Sequence, residues 1–363
     1  MRLQTLIDEM NRLAPLSLAE SWDNVGLIAG DPDQDTLRIL LTIDYTAEVA
    51  AETVPGDCVV AYHPPLFKPT GKLTADGPHA LVFDAIRRGV AIYSPHTALD
   101  VAGGGTNDVL ADCLGLVDRK PLKLSEARQS HCKLVTFVPE AAADAVADAV
   151  TAAGAGRMGA YSQCTYRSTG VGTFHGEAGS NPAVGKPGRL ERVDEIRLET
   201  IVAVADVARV VAALKSAHPY EMPAFDLIPR APEPGAAGIG RVGHLPEPGP
   251  ASAVIDRLKS AIGVSTVLVT GRDRTVHRVA VCAGSCGGLL DDAITAGVDL
   301  YVTGEMRHHD AAKAAAAGMV VVCTLHSCSE RPVLAKLKSR LEQMPHAVPV
   351  VLSRWDRDPF RFV

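Results

Sequence analysis

Short, almost wholly apolar runs, each followed by a helix-like segment, recur near both ends of this chain and give way to a different rhythm between them. Arg38-Ile39-Leu40-Leu41-Thr42-Ile43, Cys58-Val59-Val60-Ala61 and Val90-Ala91-Ile92-Tyr93 form the first set. Val279-Ala280-Val281-Cys282, Asp299-Leu300-Tyr301-Val302 and Met319-Val320-Val321-Val322 form the second. Successive strand residues point to opposite faces, so a run apolar at every position must be covered on both sides, which helices between strands provide. The pattern confines both ends of the chain to an α/β fold. A helix opens it, with Leu3, Leu6, Ile7, Met10 and Leu13 on one face.

The middle reads differently. Strands are expected at 133–138, 170–174, 196–202 and 224–228, with helices at 140–153 and 207–217. That βαββαβ order is the ferredoxin-like unit, and the Pro/Gly-rich stretch 231–238 reads as its exit linker. The economical organisation is a discontinuous α/β core, residues 1–127 and 238–363, interrupted by an α+β insert at 128–237. A length of 363 residues also favours more than one domain.

Charge and cysteine usage exclude some classes of function. With 36 Lys plus Arg against 42 Asp plus Glu, the net charge of −6 disfavours a protein that must neutralise phosphates along a nucleic acid. The eight Cys are scattered, mostly inside apolar runs, which suits reduced core thiols better than a disulfide framework. Asp8 and Glu9 lie within the first amphipathic segment, unlike a secretory or transit peptide, and no apolar stretch is long enough to span a bilayer. The expected location is the cytoplasm.

Candidate ligands fall just after the strands, where α/β sheets gather their ligands. Leu325-His326-Ser327-Cys328-Ser329-Glu330 follows the last apolar run and puts an imidazole and a carboxylate four residues apart, on one helix face. A solvated surface pair has the same spacing, so the pair gains weight only from His63 in Tyr62-His63-Pro64-Pro65 and Asp100 in His96-Thr97-Ala98-Leu99-Asp100. His96 is either an acid–base group beside a ligand or a turn histidine with its nitrogens satisfied. His309 is a candidate neighbour of the site. Asp23 and Asn24 either bind a substrate or form an Asx turn before Gly26. Gly103-Gly104-Gly105-Thr106-Asn107 could cradle an anion but lacks the lysine and spacing of a P-loop. In the insert, His218-Pro219-Tyr220-Glu221 reads first as a helix-ending turn.

Five segments in order, Ala19 to Leu27, Tyr62 to Phe67, His96 to Asp100, Thr303 to Asp310 and His326 to Glu330, resemble the Nif-three-like dinuclear-metal-centre family, many of whose members are labelled type 2 GTP cyclohydrolase I homologues. The insert is similar to the CutA/PII-like domain of that family. The resemblance implies a three-layer core of central sheets flanked by helices. It also implies a homo-hexameric toroid, a trimer of dimers, with paired metals facing its interior. His63 and Asp100 would bind one ion, His326 the other, and Glu330 would bridge them. A carboxylate shared in this way holds two ions about 3.5–4 Å apart, a geometry suited to hydrolysis. Mixed His and carboxylate ligation accepts zinc, iron or manganese. Many bacterial members carry two adjacent His where this chain has Tyr62-His63, so one firm site and one weakened site are expected per subunit. The resemblance implies a metal-dependent hydrolase of a small, nucleotide-type substrate. The alternative is a non-catalytic metal-binding regulator or scaffold.

Overall fold

The structure, a computed structural model, describes residues 1–125, 131–230, 237–345 and 348–361. The chain divides into two compact units, one formed by Met1–Ser125 with Gly235–Val363 and the other by Glu126–Pro234.

The first unit is built on two main sheets. One carries the strands Gly26–Ala29, Ala91–Ser94, Asp57–Ala61, Arg38–Thr42 and Val350–Leu352, in that order across the sheet. All neighbours are parallel except the edge strand Gly26–Ala29, which runs antiparallel to Ala91–Ser94. Asp57–Ala61 is buried at every position, as the apolar residues Cys58–Ala61 require. One face receives Leu3, Leu6 and Met10 of the opening helix Leu3–Leu13, together with Leu334, Leu337 and Leu341 of the helix Pro332–Leu341. The other is covered by Val49 and Ala50 from Ala47–Glu52 and by Val82 and Ala85 from Ala80–Arg87. At the sheet margin Asp57, fully buried, accepts from Arg38 Nε (3.0 Å) and from the Val54 amide (2.8 Å), so its charge has a partner.

The second sheet has the order Leu268–Thr270, Val320–Cys323, Leu300–Glu305, Thr275–Ser285, Arg241–Pro250 and Val117–Lys120. Its three central strands are parallel and the others antiparallel to their neighbours. Leu110 and Leu114 of the helix Thr106–Leu114 and Val254 and Leu258 of Ala251–Ile262 cover one face. Leu290, Ala293 and Ala314 cover the other. Both sheets are thus central layers between helices, the three-layer arrangement expected. The parallel strands of both end near Asp44, His63, His96, Glu305 and His326.

The second unit is a four-stranded antiparallel sheet in the order Phe225–Pro229, His131–Pro139, Leu190–Ala203 and Thr165–His175. The helices Ala143–Ala152 and Val207–Ala217 pack Val146, Val150, Val210 and Leu214 onto one face, against Leu134, Leu198 and Val202. This is the ferredoxin-like arrangement. Its central hairpin is longer than the apolar runs at 170–174 and 196–202 suggest. The added residues are mostly polar, with Tyr166, Leu190 and Val193 isolated among them, so hydrophobic periodicity fades while the backbone ladder continues from Thr165↔Thr200 to His175↔Leu190. Most of the expected exit linker at 231–238 lies outside the described residues; Gly238 and Ile239 pair with Leu124 and Lys123.

All eight cysteines are free thiols. Among the described residues no helix is long and apolar enough to cross a membrane.

The insert has its own hydrophobic cluster, and its described strands pair only with one another. Replacing residues 129–232 by a short linker is therefore expected to leave a soluble core with a cooperative thermal transition. An insoluble product, or loss of the near-ultraviolet circular dichroism of the remaining core, would count against independent folding.

Candidate metal centre

The centre begins at the end of the strand Val320–Cys323, where Leu325 takes φ +74° and turns the chain into the short helix His326–Glu330. One turn brings His326 Nε2 to 3.2 Å from Glu330 Oε1. Two glycines make room. A Cβ on Gly284, at φ +74°, would lie 2.8 Å from Glu330 Oε1, and one on Gly304 would lie 2.8 Å from His326 Cα. The Gly284 amide donates to Ser329 Oγ at 2.8 Å, which fixes the helix against the second sheet.

His63 arrives from the first sheet, two residues beyond the strand Asp57–Ala61, with its amide on the Ile43 carbonyl (3.0 Å). Its Nε2 faces Glu330 Oε2 at 3.4 Å. The nitrogen and oxygen ligand atoms of His63, His326 and Glu330 all lie within 4.8 Å of one another. Each imidazole is held from behind by a carboxylate: His63 Nδ1 by Asp44 Oδ1 at 2.9 Å, His326 Nδ1 by Glu305 Oε1 at 3.0 Å. Such contacts fix ring orientation and direct Nε2 to the centre, as acidic groups behind metal-bound histidines do.

Glu330 is 3% exposed, and its Oε2 has no hydrogen-bond partner. Burial would raise its carboxyl, but His326 and His63 outweigh that and hold it below the usual range. Burial likewise opposes a charged His63, yet Asp44 and Glu330 lift the imidazole to about 10. Glu330 lifts His326 to about 9 against its burial, with Glu305 adding to the effect. A buried carboxylate whose two oxygens face two oriented imidazole nitrogens, one of those oxygens without a hydrogen bond, is a donor set that a divalent ion takes, so the residues present fit a metal.

Asp100 lies outside this group of three. Its Oδ1 accepts from the Tyr62 hydroxyl, which also receives Thr106 Oγ1 at 3.4 Å, and its backbone carbonyl accepts from Asn107 Nδ2 at 3.0 Å. Burial lifts the Asp100 carboxyl to about 6, the Glu330 charge adding to it against the Tyr62 hydrogen bond. Burial, with the charges of Asp100 and Glu330, pushes the Tyr62 phenol well above its ordinary value. The side chain standing where many relatives are expected to carry a histidine is thus a neutral donor that occupies one oxygen of Asp100.

His96 flanks the group, its ring 5.3 Å from that of His63. It has φ +28°, unusual for a non-glycine residue, and is held there by Asp23: Oδ1 accepts from His96 Nδ1 at 2.7 Å and Oδ2 from the Thr97 amide at 3.2 Å. Burial works against the Asp23 charge, but the hydrogen bonds from His96 and Thr97 keep its carboxyl below the usual range. Asn24 Nδ2 donates to the Leu66 carbonyl. Asp23 and Asn24 therefore brace the loop. His309 is exposed and packs edge-on against His308, with ring centroids 5.4 Å apart. The Gly104 amide is taken by Asp108, itself bound by Arg241, so an acidic side chain already stands where an anion would meet that amide. His218 accepts from the Tyr220 amide and hydrogen-bonds the Phe137 carbonyl, a turn function.

Asp44 and Glu305 escaped the sequence reading, although Asp44 lies two residues past the strand Arg38–Thr42 and Glu305 is the last residue of Leu300–Glu305. Asp356 escaped it too. Its Oδ1 accepts from the Ile43 amide at 3.0 Å and its Oδ2 from Arg331 Nε at 2.7 Å, tying the segment that precedes Asp44 to the residue that follows Glu330.

Two helix-covered sheets whose strand ends deliver two imidazoles and a shared carboxylate, with a ferredoxin-like unit inserted between them in sequence, define an α/β protein with a candidate metal centre. The chain belongs to the Duf34/NIF3 (NGG1p interacting factor 3) family, whose model matches residues 1–359. It is 37% identical to a Halalkalibacterium halodurans protein named GTP cyclohydrolase 1 type 2 homolog, across 99% of this chain and 98% of that one. A Mycobacterium tuberculosis protein of the same name is also 37% identical, over 91% and 89% of the two chains. Among solved structures, a Bacillus cereus protein related to NIF3 superposes with a TM-score of 0.73 at 33% identity, covering 99% of each chain.

Asp44→Asn keeps the size of the side chain but removes the charge behind His63, and is expected to weaken Zn2+ binding about 10- to 100-fold. Glu330→Ala should abolish tight binding. Calorimetric titration of the metal-free proteins checks both, and unchanged affinity in Asp44→Asn would show that Asp44 does not orient the ligand.

Proposed function

We propose that this protein binds divalent metal ions at the Glu330 carboxylate and uses them to hydrolyse a small substrate of nucleotide type. The observation that carries the reading is Glu330 Oε2, buried without a hydrogen-bond partner and facing His63 Nε2 while Oε1 faces His326 Nε2. His63, His326 and Glu330 would hold the ions, with Asp100, whose Oδ1 is taken by Tyr62, as a further carboxylate that would join His63. Zinc, iron and manganese all accept such ligands. A divalent ion supplies Lewis acidity and lowers the pKa of water at such a site.

The chain's own residues supply the rest. Asp44 and Glu305 hold the two imidazoles in register. Asp23 takes His96 Nδ1, which leaves Nε2 as the nitrogen that moves a proton to or from the reacting group, in the manner of an Asp–His pair. Tyr62 contributes a phenol already committed to Asp100 where an imidazole would add a ligand, so one site is firm and the His326 side is weaker. The naming of the relatives supports a nucleotide substrate, with a ring-opening hydrolysis of GTP as its specific form. A cytoplasmic homo-hexameric toroid, a trimer of dimers with the centres facing inward, completes the reading.

Metal analysis of protein purified without added metal, followed by turnover assays over nucleotides and phosphoesters, tests it. Metal-dependent turnover should vanish in Glu330→Ala and fall about 10^2- to 10^4-fold in His96→Ala at unchanged metal content. Metal binding without turnover would favour a scaffold instead. Tyr62→His should raise occupancy of the second equivalent, and a wild type that already holds two equivalents tightly would refute the weaker site.

A further inference from the structure

Beside the metal centre, two large aromatic side chains stand in the open. Trp22 is 58% exposed and Phe67 45%, although the chain has just two Trp and seven Phe. Their ring centroids are 5.8 Å apart at an interplanar angle of 56°. Both reach His96, at 6.2 and 6.4 Å, and His96 in turn lies 5.3 Å from the candidate ligand His63. The aromatic surface therefore begins one ring away from the metal group.

Neither ring rides on a loose loop. The residue after Trp22 is Asp23, whose side chain is fully buried and bonded to His96 and Thr97. The Asp23 amide donates to the Glu20 carbonyl at 3.1 Å, and the Glu20 amide donates to Thr97 Oγ1 at 3.0 Å. The residue before Phe67 is Leu66, whose carbonyl accepts from Asn24. The two loops are thus fastened to each other and to the helix His96–Val101. The chain's other tryptophan makes a useful contrast. Trp355 is covered by the guanidinium of Arg357 at 4.7 Å, with Arg354 at 5.9 Å, whereas among the described residues no cation stacks on Trp22.

From this geometry we infer that Trp22 and Phe67 form a stacking platform that receives the planar heteroaromatic ring of a ligand and sets its remaining groups toward His96 and the metal centre. Aromatic side chains with few rotatable bonds, presented by fixed loops, lose little entropy when a flat ring covers them. Stacking needs no hydrogen-bonding code, so the platform selects for a π-face before it selects among rings. The inference deepens the hydrolase reading and rests on it for the role of the centre, but ring binding itself requires no ion.

Guanosine and adenosine serve as probes, with ribose as the ring-free control. In the full-length Trp355→Phe protein, which keeps Trp22 as its single tryptophan, both nucleosides should quench emission saturably and ribose should not. Phe67→Leu in that background should weaken the quenching, and Trp22→Leu, followed by calorimetry, should weaken nucleoside binding about 5- to 150-fold. Absence of saturable quenching, or equal affinity in Phe67→Leu, overturns the platform. So does a change in oligomeric state on Trp22→Leu, measured by light scattering, which would assign the rings to a contact between copies of the chain. Metal content of the same samples separates the two readings. Nucleoside binding by a protein that takes up no metal would defeat the hydrolase alone, and full metal loading without nucleoside binding would defeat the platform alone.

Discussion

A carboxylate removed from water needs polar partners or positive charge beside it, and Glu330 has the imidazoles of His63 at 3.4 Å and His326 at 3.2 Å. The two imidazoles belong to different sheets. His63 follows a strand of the first and His326 a strand of the second, so the cluster at Glu330 forms where the carboxyl ends of both sheets converge. Much of the surrounding structure serves that convergence. Gly284 and Gly304 let the helix of His326 and Glu330 sit against the second sheet, Asp44 and Glu305 orient the rings, and Asp356 joins the Ile43 backbone to Arg331.

The α/β class was legible because burial on both faces leaves a plain mark: Asp57–Ala61 and Val320–Cys323 are apolar almost throughout and lie inside the sheets. Edge strands leave no such mark. Gly26–Ala29 and Leu268–Thr270 are short and partly exposed, and pairing with a distant neighbour, not local pattern, makes them strands. The same limit hid the reach of the hairpin from Thr165 to Ala203, where backbone bonding continues past the apolar residues.

For the site, sequence position identified side chains with ligand chemistry but not their partners. His63, His326 and Glu330 meet. Asp100, with equally suitable chemistry, gives one oxygen to Tyr62, a contact between residues 38 positions apart that no spacing rule contains. Asp44 and Glu305 were invisible for the converse reason. A single acid at or just past a strand end is common, and only the facing imidazole gives it a role.

The inserted unit begins and ends on neighbouring strands, with Cys132 opposite Pro229, while Leu124 and Gly238 of the core face each other across a two-residue ladder. Joining two points of a chain across about a hundred flexible residues costs about 3 kcal/mol more in closure entropy than across a tight turn. A folded unit whose ends already lie side by side performs that closure itself. To the core, the insert is entropically a short turn. His63 and His326, which stand on opposite sides of it in sequence, can therefore meet as though the intervening unit added almost nothing to the distance between them.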